Sequence, residues 1–468
     1  MTRHEVRLTT ATRWRVAVAP AAVALVLTAP PATAGGARDG TVGRVSERAT
    51  GDQALGNSGL QQTVPALSGS GRLVVFTSTA SNLVPGDTNG VEDVFVRDRV
   101  RGSVTRASVG PAGRPGDAGS VDASISADGR QVAFVSAATN LVRGDTNGVN
   151  DVFVRDLRAG TTRRVSVGPG GRQGNAASLF PAISADGRTV AFQTFASNLT
   201  GRRSRPDTNG VEDVYVRDLR RGRTTRVSMA PDGRQRPGPS ALPAISGDGR
   251  RVAFVAEYSG PNQFEVWVHD RHTRRTRLVS VRRAVAEDNS VGRPSMSADG
   301  RFVAFASNRA SLVPGDTNHA RDVFVRDLAT GRFTRVSVTA DHRQAGSDSE
   351  GPSLSAEGRF VAFVSFADDL VPADTNGRSD VFLRDLRTGT LRRVSRADDG
   401  RPGERPQRVL PRVLGVRRRT ARRLRVGGEQ PGGRRHQPPA RRLRLGRRSP
   451  ARSVSERETP SRGLEVGD

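Results

Sequence analysis

The stretch Asp87–Asp98, D-T-N-G-V-E-D-V-F-V-R-D, joins a polar turn to a short apolar strand. Asn-Gly at its tip is typical of tight turns, and the valines and phenylalanine that follow favour a strand. Close copies begin at Asp145, Asp207, Asp316 and Asp374. This recurrence indicates that one structural unit is repeated along the chain.

Each repeat carries further segments at fixed offsets from this turn. In the second repeat, S-A-D-G-R at Ser126–Arg130 precedes V-A-F-V-S at Val132–Ser136, and R-V-S-V closes the unit at Arg164–Val167. The V-A-F phenylalanines recur about every 58 residues, a spacing typical of stacked repeats. They are Phe76, Phe134, Phe192, Phe254, Phe305 and Phe363.

Four short segments in each repeat have strand character, because they are rich in Val, Phe and Thr and are bounded by Gly, Asp and Asn. Asp-Gly between the first two predicts a hairpin with a two-residue loop. In the third, Val94 and Val96 should share one face, and Phe95 and Arg97 the other. The sequence therefore predicts an all-β fold, a β-propeller of six intact four-stranded repeats.

The combination S-A-D-G-R-x-V-A-F, D-V-F-V-R-D and R-V-S resembles the TolB-type, WD-repeat-like propeller family, and the likeness covers about residues 60–395. The resemblance implies secreted or envelope β-propellers that serve as binding scaffolds, with no single activity. The first repeat departs from the pattern at Ser68–Arg72. The fourth departs most, since Ser259–Glu265 replaces the D-T-N-G segment.

Met1–Ala34 has the basic start, apolar run and small-residue end of an export signal, so we expect secretion. The Gly-rich segment 35–59 contains Arg44-Val45-Ser46, which is similar to the close of a repeat and predicts a closing strand. The repeats lie near 60–110, 118–168, 176–229, 239–282, 290–338 and 348–395. Residues 396–468 form an Arg/Pro/Gly-rich tail, predicted to be disordered.

The tail has two interpretations, a basic arm or a shifted reading frame. Read one nucleotide later with free third bases, Val416–Val426 can encode S-A-D-G-R-R-V-A-F-V. Gln430–Arg447 can then encode a segment that ends D-V-F-V-W-D. The second interpretation predicts a seventh blade lost to a frameshift near Gly403, and DNA sequence across this region tests it.

Composition limits the functional classes. The chain has 468 residues, no cysteine, and 74 basic residues that are all Arg, with a formal net charge of +27. Disulfides and thiolate metal sites are therefore excluded. Aromatic residues are only 4%, and neither a helix-turn-helix nor a zinc pattern is present, so we expect no specific nucleic-acid binding.

The repeated turn also presents a candidate metal site. Asp87, Asn89 and Asp93 place oxygen donors at i, i+2 and i+6 around a glycine, as in bacterial calcium loops. The alternative is a structural Asx turn, with the second aspartate capping strand amides. The equivalent sets are Asp145, Asn147 and Asp151; Asp207, Asn209 and Asp213; Asp316, Asn318 and Asp322; and Asp374, Asn376 and Asp380.

These features predict a secreted, monomeric binding scaffold for a protein, peptide or cell-envelope polysaccharide, with Ca²⁺ as the only candidate cofactor and without catalysis. One alternative is an extracellular hydrolase or lyase that uses Glu257, Tyr258 and Asn262 of the irregular fourth repeat. Another is a non-functional frameshifted product. The observation that separates enzyme from scaffold is whether one blade carries unique polar residues that converge on the axis.

Overall fold

The computed structural model describes residues 44–58, 65–201, 206–257, 263–280, 291–372 and 374–395. They form six four-stranded antiparallel sheets, each with its strands in chain order, arranged as the blades of a ring. This confirms the predicted all-β propeller of six repeats. The export signal, the tail and the seventh-blade hypothesis lie outside the described residues.

Each blade is built from four consecutive strands. In blades 1 to 3 the strands are β1 Ala66–Leu67, β2 Leu73–Ser78, β3 Asp93–Asp98, β4 Val104–Arg106, β5 Ser120–Ile125, β6 Gln131–Ser136, β7 Asp151–Asp156, β8 Thr161–Arg164, β9 Ser178–Ile183, β10 Thr189–Thr194, β11 Asp213–Asp218 and β12 Arg223–Arg226. In blades 4 to 6 they are β13 Ser240–Ile245, β14 Arg251–Glu257, β15 Phe264–Asp270, β16 Arg275–Leu278, β17 Ser295–Met296, β18 Phe302–Ser307, β19 Asp322–Asp327, β20 Phe333–Arg335, β21 Ser349–Leu354, β22 Phe360–Ser365, β23 Asp380–Asp385 and β24 Leu391–Arg393. Short 3₁₀ turns lie at Pro111–Gly113, Pro169–Gly171 and Ala310–Leu312. Among the described residues, no helix is long and apolar enough to cross a membrane.

The hydrophobic core lies between the blades. The valine face of blade 1, with Val94 and Val96, packs against the aromatic face of blade 2, with Phe134 and Phe153. Those two rings stack at 5.8 Å between centroids, and both are fully buried. Alternation along the strands therefore gives every inner blade two apolar faces, as the sequence predicts.

Backbone hydrogen bonds link the blades at the turns between first and second strands. Gly69 N–H donates to Ala127 O, Ala127 N–H donates to Ala185 O, and the series continues to Ala298, whose N–H donates to Ala356 O. The two-residue loop predicted at Asp-Gly is wrong. Ser126 N–H donates to Gln131 O, so the loop is longer, and only Gly129 has positive φ, at 72°. The Asp128 side chain instead accepts from Ser126 Oγ and Arg130 N–H within this loop.

The glycine in this turn is required by packing as well as by backbone conformation. A Cβ atom at Gly129 would lie 2.5 Å from a side-chain carbon of Leu73 in the preceding blade. Positive φ also disfavours any residue with a side chain there. The turn therefore sets how closely neighbouring blades approach.

The N-terminal segment has the local structure of the end of a blade. Its bridge between Glu47 and Gln53 repeats the bridge between Val167 and Gln173 that follows blade 2. The Arg97 guanidinium donates to the Glu47 carbonyl at 2.8 Å. The segment thus contacts blade 1 much as one blade contacts the next.

Candidate functional site

The predicted calcium residues form compact ionic clusters, one in each regular blade. In blade 2, the Arg164 guanidinium lies 2.9 Å from an Asp145 oxygen and 3.0 Å from an Asp151 oxygen. Asn147 turns its amide N–H₂ toward Asp151, at 2.9 Å. Ser166 Oγ donates to the other Asp151 oxygen. The guanidinium therefore occupies the position between the two carboxylates that a cation would need.

The same arrangement recurs in the other four regular blades. The shortest Arg–Asp nitrogen–oxygen distances range from 2.7 Å to 3.4 Å. The groups are Arg106 with Asp87 and Asp93, Arg226 with Asp207 and Asp213, Arg335 with Asp316 and Asp322, and Arg393 with Asp374 and Asp380. The amides of Asn89, Asn209, Asn318 and Asn376 face Asp93, Asp213, Asp322 and Asp380.

This geometry favours the structural-turn interpretation of the D-T-N-G loops. The asparagine oxygen of Asn89 accepts from Val91 N–H, as in an Asx turn. The asparagine amides are turned so that they donate to carboxylates, whereas Ca²⁺ would require their oxygens. The described residues contain no group of three or more acidic or histidine side chains spaced to hold a metal ion. Calcium binding at these loops stays a prediction.

The aspartates that end the third strands cap turns at the opposite end of the ring. Asp156 accepts from Arg158 and Ala159 N–H at 3.0 and 2.8 Å, as expected for a turn cap. Arg130 lies 2.8 Å from the same carboxylate. A groove of about 490 Å³ between blades 2 and 3 lies at this end, but its Arg130 and Asp156 already pair with each other. We therefore do not assign it as a binding site.

The loop-bearing end, where the D-T-N-G loops lie, has blade-specific residues around the axis. The first strands of successive blades contact one another and so surround the axis. Immediately before the buried acid of the third strand, the six blades have five different residue types, with glutamate in blades 1 and 3. They are Glu92, Asn150, Glu212, Phe264, Arg321 and Ser379.

A second variable position follows the second strand of each blade. It holds Phe195 in blade 3, Glu257 in blade 4 and Phe366 in blade 6. The two phenylalanines are 40% and 45% exposed, so aromatic surface faces solvent at this end. Backbone bonds from Phe195 and Phe366 N–H to the chain entering the first strand hold both residues beside the axis. We call these two variable positions together the channel mouth.

Deeper in the channel, the first strands of blades 2, 3 and 4 are irregular. Asp122, Phe180 and Leu242 have φ of 54–56° where the pairing register shifts. Phe180 and Leu242 are buried in one apolar cluster. Arg293 keeps part of its surface exposed. Burial of its guanidinium lowers its pKa, and the Asp122 carboxylate raises it. The axis thus brings together charged and apolar groups from blades that are distant in sequence.

Charged residues at the mouth bridge successive blades. Arg321 of blade 5 donates to the Glu350 carboxylate of blade 6 at 3.2 Å. Burial raises the pKa of Glu350 to about 7, and Arg321 opposes that rise. At the step from blade 1 to blade 2, burial raises the pKa of Glu92, and the nearby Asp122 charge raises it further.

Blade 4 replaces the regular ionic cluster with different residues. Glu265 stands where the other blades have aspartate, and it pairs with Arg309 and accepts from Ser280 Oγ. Arg236 is buried, lies 4.2 Å from the Trp267 ring centre, and donates to the Glu257 carbonyl. Of the three residues in the enzyme hypothesis, the structure places Glu257 at the channel mouth. Tyr258 and Asn262 lie outside the described residues.

The fold defines the class of protein, a six-bladed β-propeller. No protein-family model and no curated protein matches the chain. Solved structures with a similar fold include TolB from Acinetobacter baumannii, at 17% identity and a TM-score of 0.37, with 64% of this chain and 58% of that chain covered. They also include oligogalacturonate lyase from Vibrio parahaemolyticus (14%, TM-score 0.44, 70% and 75% covered) and the propeller domain of the Trilobed protease from Pyrococcus furiosus (12%, TM-score 0.43, 70% and 81% covered). This chain spans less than two thirds of the TolB chain, and these likenesses concern the fold alone.

The internal counterion of the D-T-N-G loops is absent from the predictions made above, although the sequence carries a signal for it. Each of the five repeats with the loop also has arginine two residues before the serine of its closing strand, as in Arg164-Val165-Ser166. The fourth repeat lacks the loop and has Leu278 at that position. The joint loss of acid and base within one chain indicates that they pair.

Proposed function

We propose that the chain is a secreted binding scaffold that holds a protein or peptide partner at the channel mouth. The observation that carries this proposal is the contrast between repeated and variable positions. The ionic clusters and turn caps repeat from blade to blade, whereas residues around the mouth differ and combine charge with exposed aromatic surface. Such mixtures of aromatic and charged groups are typical of protein interfaces.

The net charge of the whole chain is positive, but acidic side chains lie around the channel mouth. The mouth and the adjacent first strands contain acidic side chains, among them Glu92, Glu212, Glu257 and Glu350. Electrostatic complementarity therefore favours a partner that presents basic and apolar groups. The proposal includes two further points, that the chain is a TolB-type propeller and that it is exported, and both are consistent with a binding role.

A peptide display selection against the full chain tests the proposal. We expect selected peptides to lose about tenfold or more in affinity for the double variant Phe195→Ser, Phe366→Ser, because anchoring aromatic residues carry most interface energy. Val100→Ser is a matched control, since Val100 is 76% exposed at the opposite end. Peptides that bind the double variant as well as the wild type would contradict the proposal. If oligosaccharides bind the chain and peptides do not, and if that binding is equally sensitive to these variants, the ligand belongs to the polysaccharide class.

A further inference from the structure

Two buried polar groups at the step from blade 3 to blade 4 have no hydrogen-bond partner. Glu212 is 3% exposed, and its Oε2 atom is unpartnered. Ser240 is fully buried, and its Oγ is also unpartnered. The two residues are adjacent, because Ser240 N–H donates to the Glu212 carbonyl at 2.8 Å. Buried polar groups are normally satisfied, so both require an explanation.

The equivalent serine is satisfied in other blades. Ser120 Oγ donates to Ser136 Oγ at 2.9 Å in blade 2, and Ser349 Oγ donates to Ser365 Oγ at 2.8 Å in blade 6. In blade 4 the residue opposite Ser240 is Ala256, which has no hydroxyl. The missing partner is therefore a property of this blade and not of the fold.

The equivalent of Glu212 in blade 5 shows what such a residue can bind. Arg321 reaches the first strand of the next blade and pairs with Glu350. At the step from blade 3 to blade 4 the carboxylate comes from Glu212, and the position that corresponds to Glu350 is Ala241. The protein thus provides the anion of this pair without its cation.

The charges that act on Glu212 do not compensate it. Burial raises its pKa, a hydrogen bond from its own backbone N–H lowers it, and the carboxylates of Asp213 and Glu257 raise it further. An ionised carboxylate in such a place is costly unless a cation and hydrogen bonds satisfy it. Glu257 is partly exposed, and it connects Glu212 with the solvent-facing part of the mouth.

We propose that Glu212 and Glu257 form a subsite for a cationic side chain of the partner, a guanidinium in preference to an ammonium. A guanidinium presents five N–H donors in a planar fork, which suits two neighbouring carboxylates and a free hydroxyl. The inference rests on the proposed function and specifies the partner as a protein or peptide with an arginine that enters at blade 4.

Two blocked pentapeptides of glycine and leucine, one with a central arginine and one with a central citrulline, test the subsite. Citrulline keeps the shape of arginine and removes its charge. We expect the wild-type chain to bind the arginine peptide about tenfold more tightly, as for a charge-assisted hydrogen bond. Glu212→Gln should remove that preference, whereas the matched control Glu357→Gln, in an exposed turn at the opposite end of the ring, should keep it. Isothermal titration calorimetry measures all affinities.

A second measurement separates a binding role from a structural one. If Glu212 served only the fold, Glu212→Gln would lower the melting temperature. We expect an equal or higher melting temperature, because the substitution removes an uncompensated buried charge.

Equal affinity for the two peptides, or an arginine preference that survives Glu212→Gln, would overturn the subsite. If binding of both peptides is equal and still lost with the phenylalanine double variant, the scaffold proposal stands and only the subsite fails. Absence of binding by either peptide would overturn the subsite, and the display selection would then decide the scaffold proposal separately. Terbium luminescence that depends on Glu212 would identify a metal site and would also overturn the inference.

Discussion

Blade 2 and blade 4 have the same four-stranded arrangement, but the polar groups at their loop-bearing ends have different hydrogen-bond partners. In blade 2, Asp145 and Asp151 share the Arg164 guanidinium, and the serine pair of the first two strands is complete. At the entrance to blade 4, Glu212 and Ser240 each keep an atom without a partner. Blade 2 pairs both loop carboxylates with its own arginine, whereas the entrance to blade 4 holds a buried carboxylate with no arginine beside it and a serine without its usual partner.

This comparison explains why the most repeated residues are poor candidates for function. The repeated aspartates are conspicuous in the sequence, yet each lies against an internal arginine. The residues that the mouth offers differ from blade to blade and form no motif. Regularity in this propeller therefore marks structure, and irregularity marks the candidate site.

The largest effect should come from breaking the ionic cluster of blade 2. Asp151→Ala removes a fully buried carboxylate that faces Arg164 and Ser166. We expect a loss of about 3–5 kcal/mol in the free energy of unfolding, because the buried guanidinium loses one of its two counterions and the buried Ser166 hydroxyl loses its acceptor. Urea denaturation measures the loss. Asp128→Ala at an exposed turn is the control, and a loss for Asp151→Ala as small as for this control would contradict a stabilising cluster.

The next effect concerns acid, and it sharpens the contrast between the two ends of the ring. At the turn-bearing end, the hydrogen bond from Arg72 holds the pKa of Asp98 well below its usual range, and Arg301 and Arg359 act in the same way on Asp327 and Asp385. Carboxylates with lowered pKa values in the folded state stabilise it above the unfolded pKa near 4. That stability is lost as pH falls through the lower folded values.

Thermal denaturation between pH 5 and pH 2 measures this dependence. We expect the melting temperature to fall mainly below about pH 4. The fall should be smaller in Asp327→Asn, which is already uncharged at this turn. An acid response unchanged by this substitution would show that other carboxylates dominate.

A smaller and reciprocal effect is expected at the serine pairs. Ser136→Ala in blade 2 removes the partner of Ser120, and we expect a loss of about 1 kcal/mol. Ala256→Ser in blade 4 supplies the missing partner of Ser240, so we expect a gain of similar size. Chemical denaturation of both variants checks the pair. A loss in both would show that the space beside Ser240 does not admit a hydroxyl.

The smallest expected effect is that of calcium on the wild-type protein. Because Arg164 lies between Asp145 and Asp151, we expect millimolar Ca²⁺ to leave the melting temperature unchanged. Arg164→Met frees both carboxylates, and we expect this variant to be stabilised by Ca²⁺. Differential scanning calorimetry measures both. A calcium-dependent rise in the wild type would restore the metal interpretation of these loops.

Much of the fold could be predicted because its signals are local. The Asp-Thr-Asn-Gly turn, the alternation around Val94 and Phe95, and the repeat of V-A-F predicted strand positions and blade number. The loop predicted at Asp128-Gly129 is too short, because the Asp128 carboxylate accepts from Ser126 Oγ and from Arg130 N–H and so stabilises a longer turn. Propensity alone does not contain those bonds.

The candidate site was less accessible from the sequence. The repeated Asp and Asn residues are the candidates that the sequence presents, and their pairing with arginine could be inferred from the absence of both in the fourth repeat. Glu212, Ser240 and Glu257 carried no such signal. They gain meaning only when compared with Arg321, Ser120 and Phe195 at equivalent places in other blades.

The amino-acid sequence by itself determined the strands, their order and the number of described blades, because side-chain alternation and turn preferences act over a few residues. Only the tertiary structure decided which carboxylates are neutralised and which converge on the axis. The ring brings together residues that are separated by one or more repeats, and burial there makes the presence or absence of a single partner decisive.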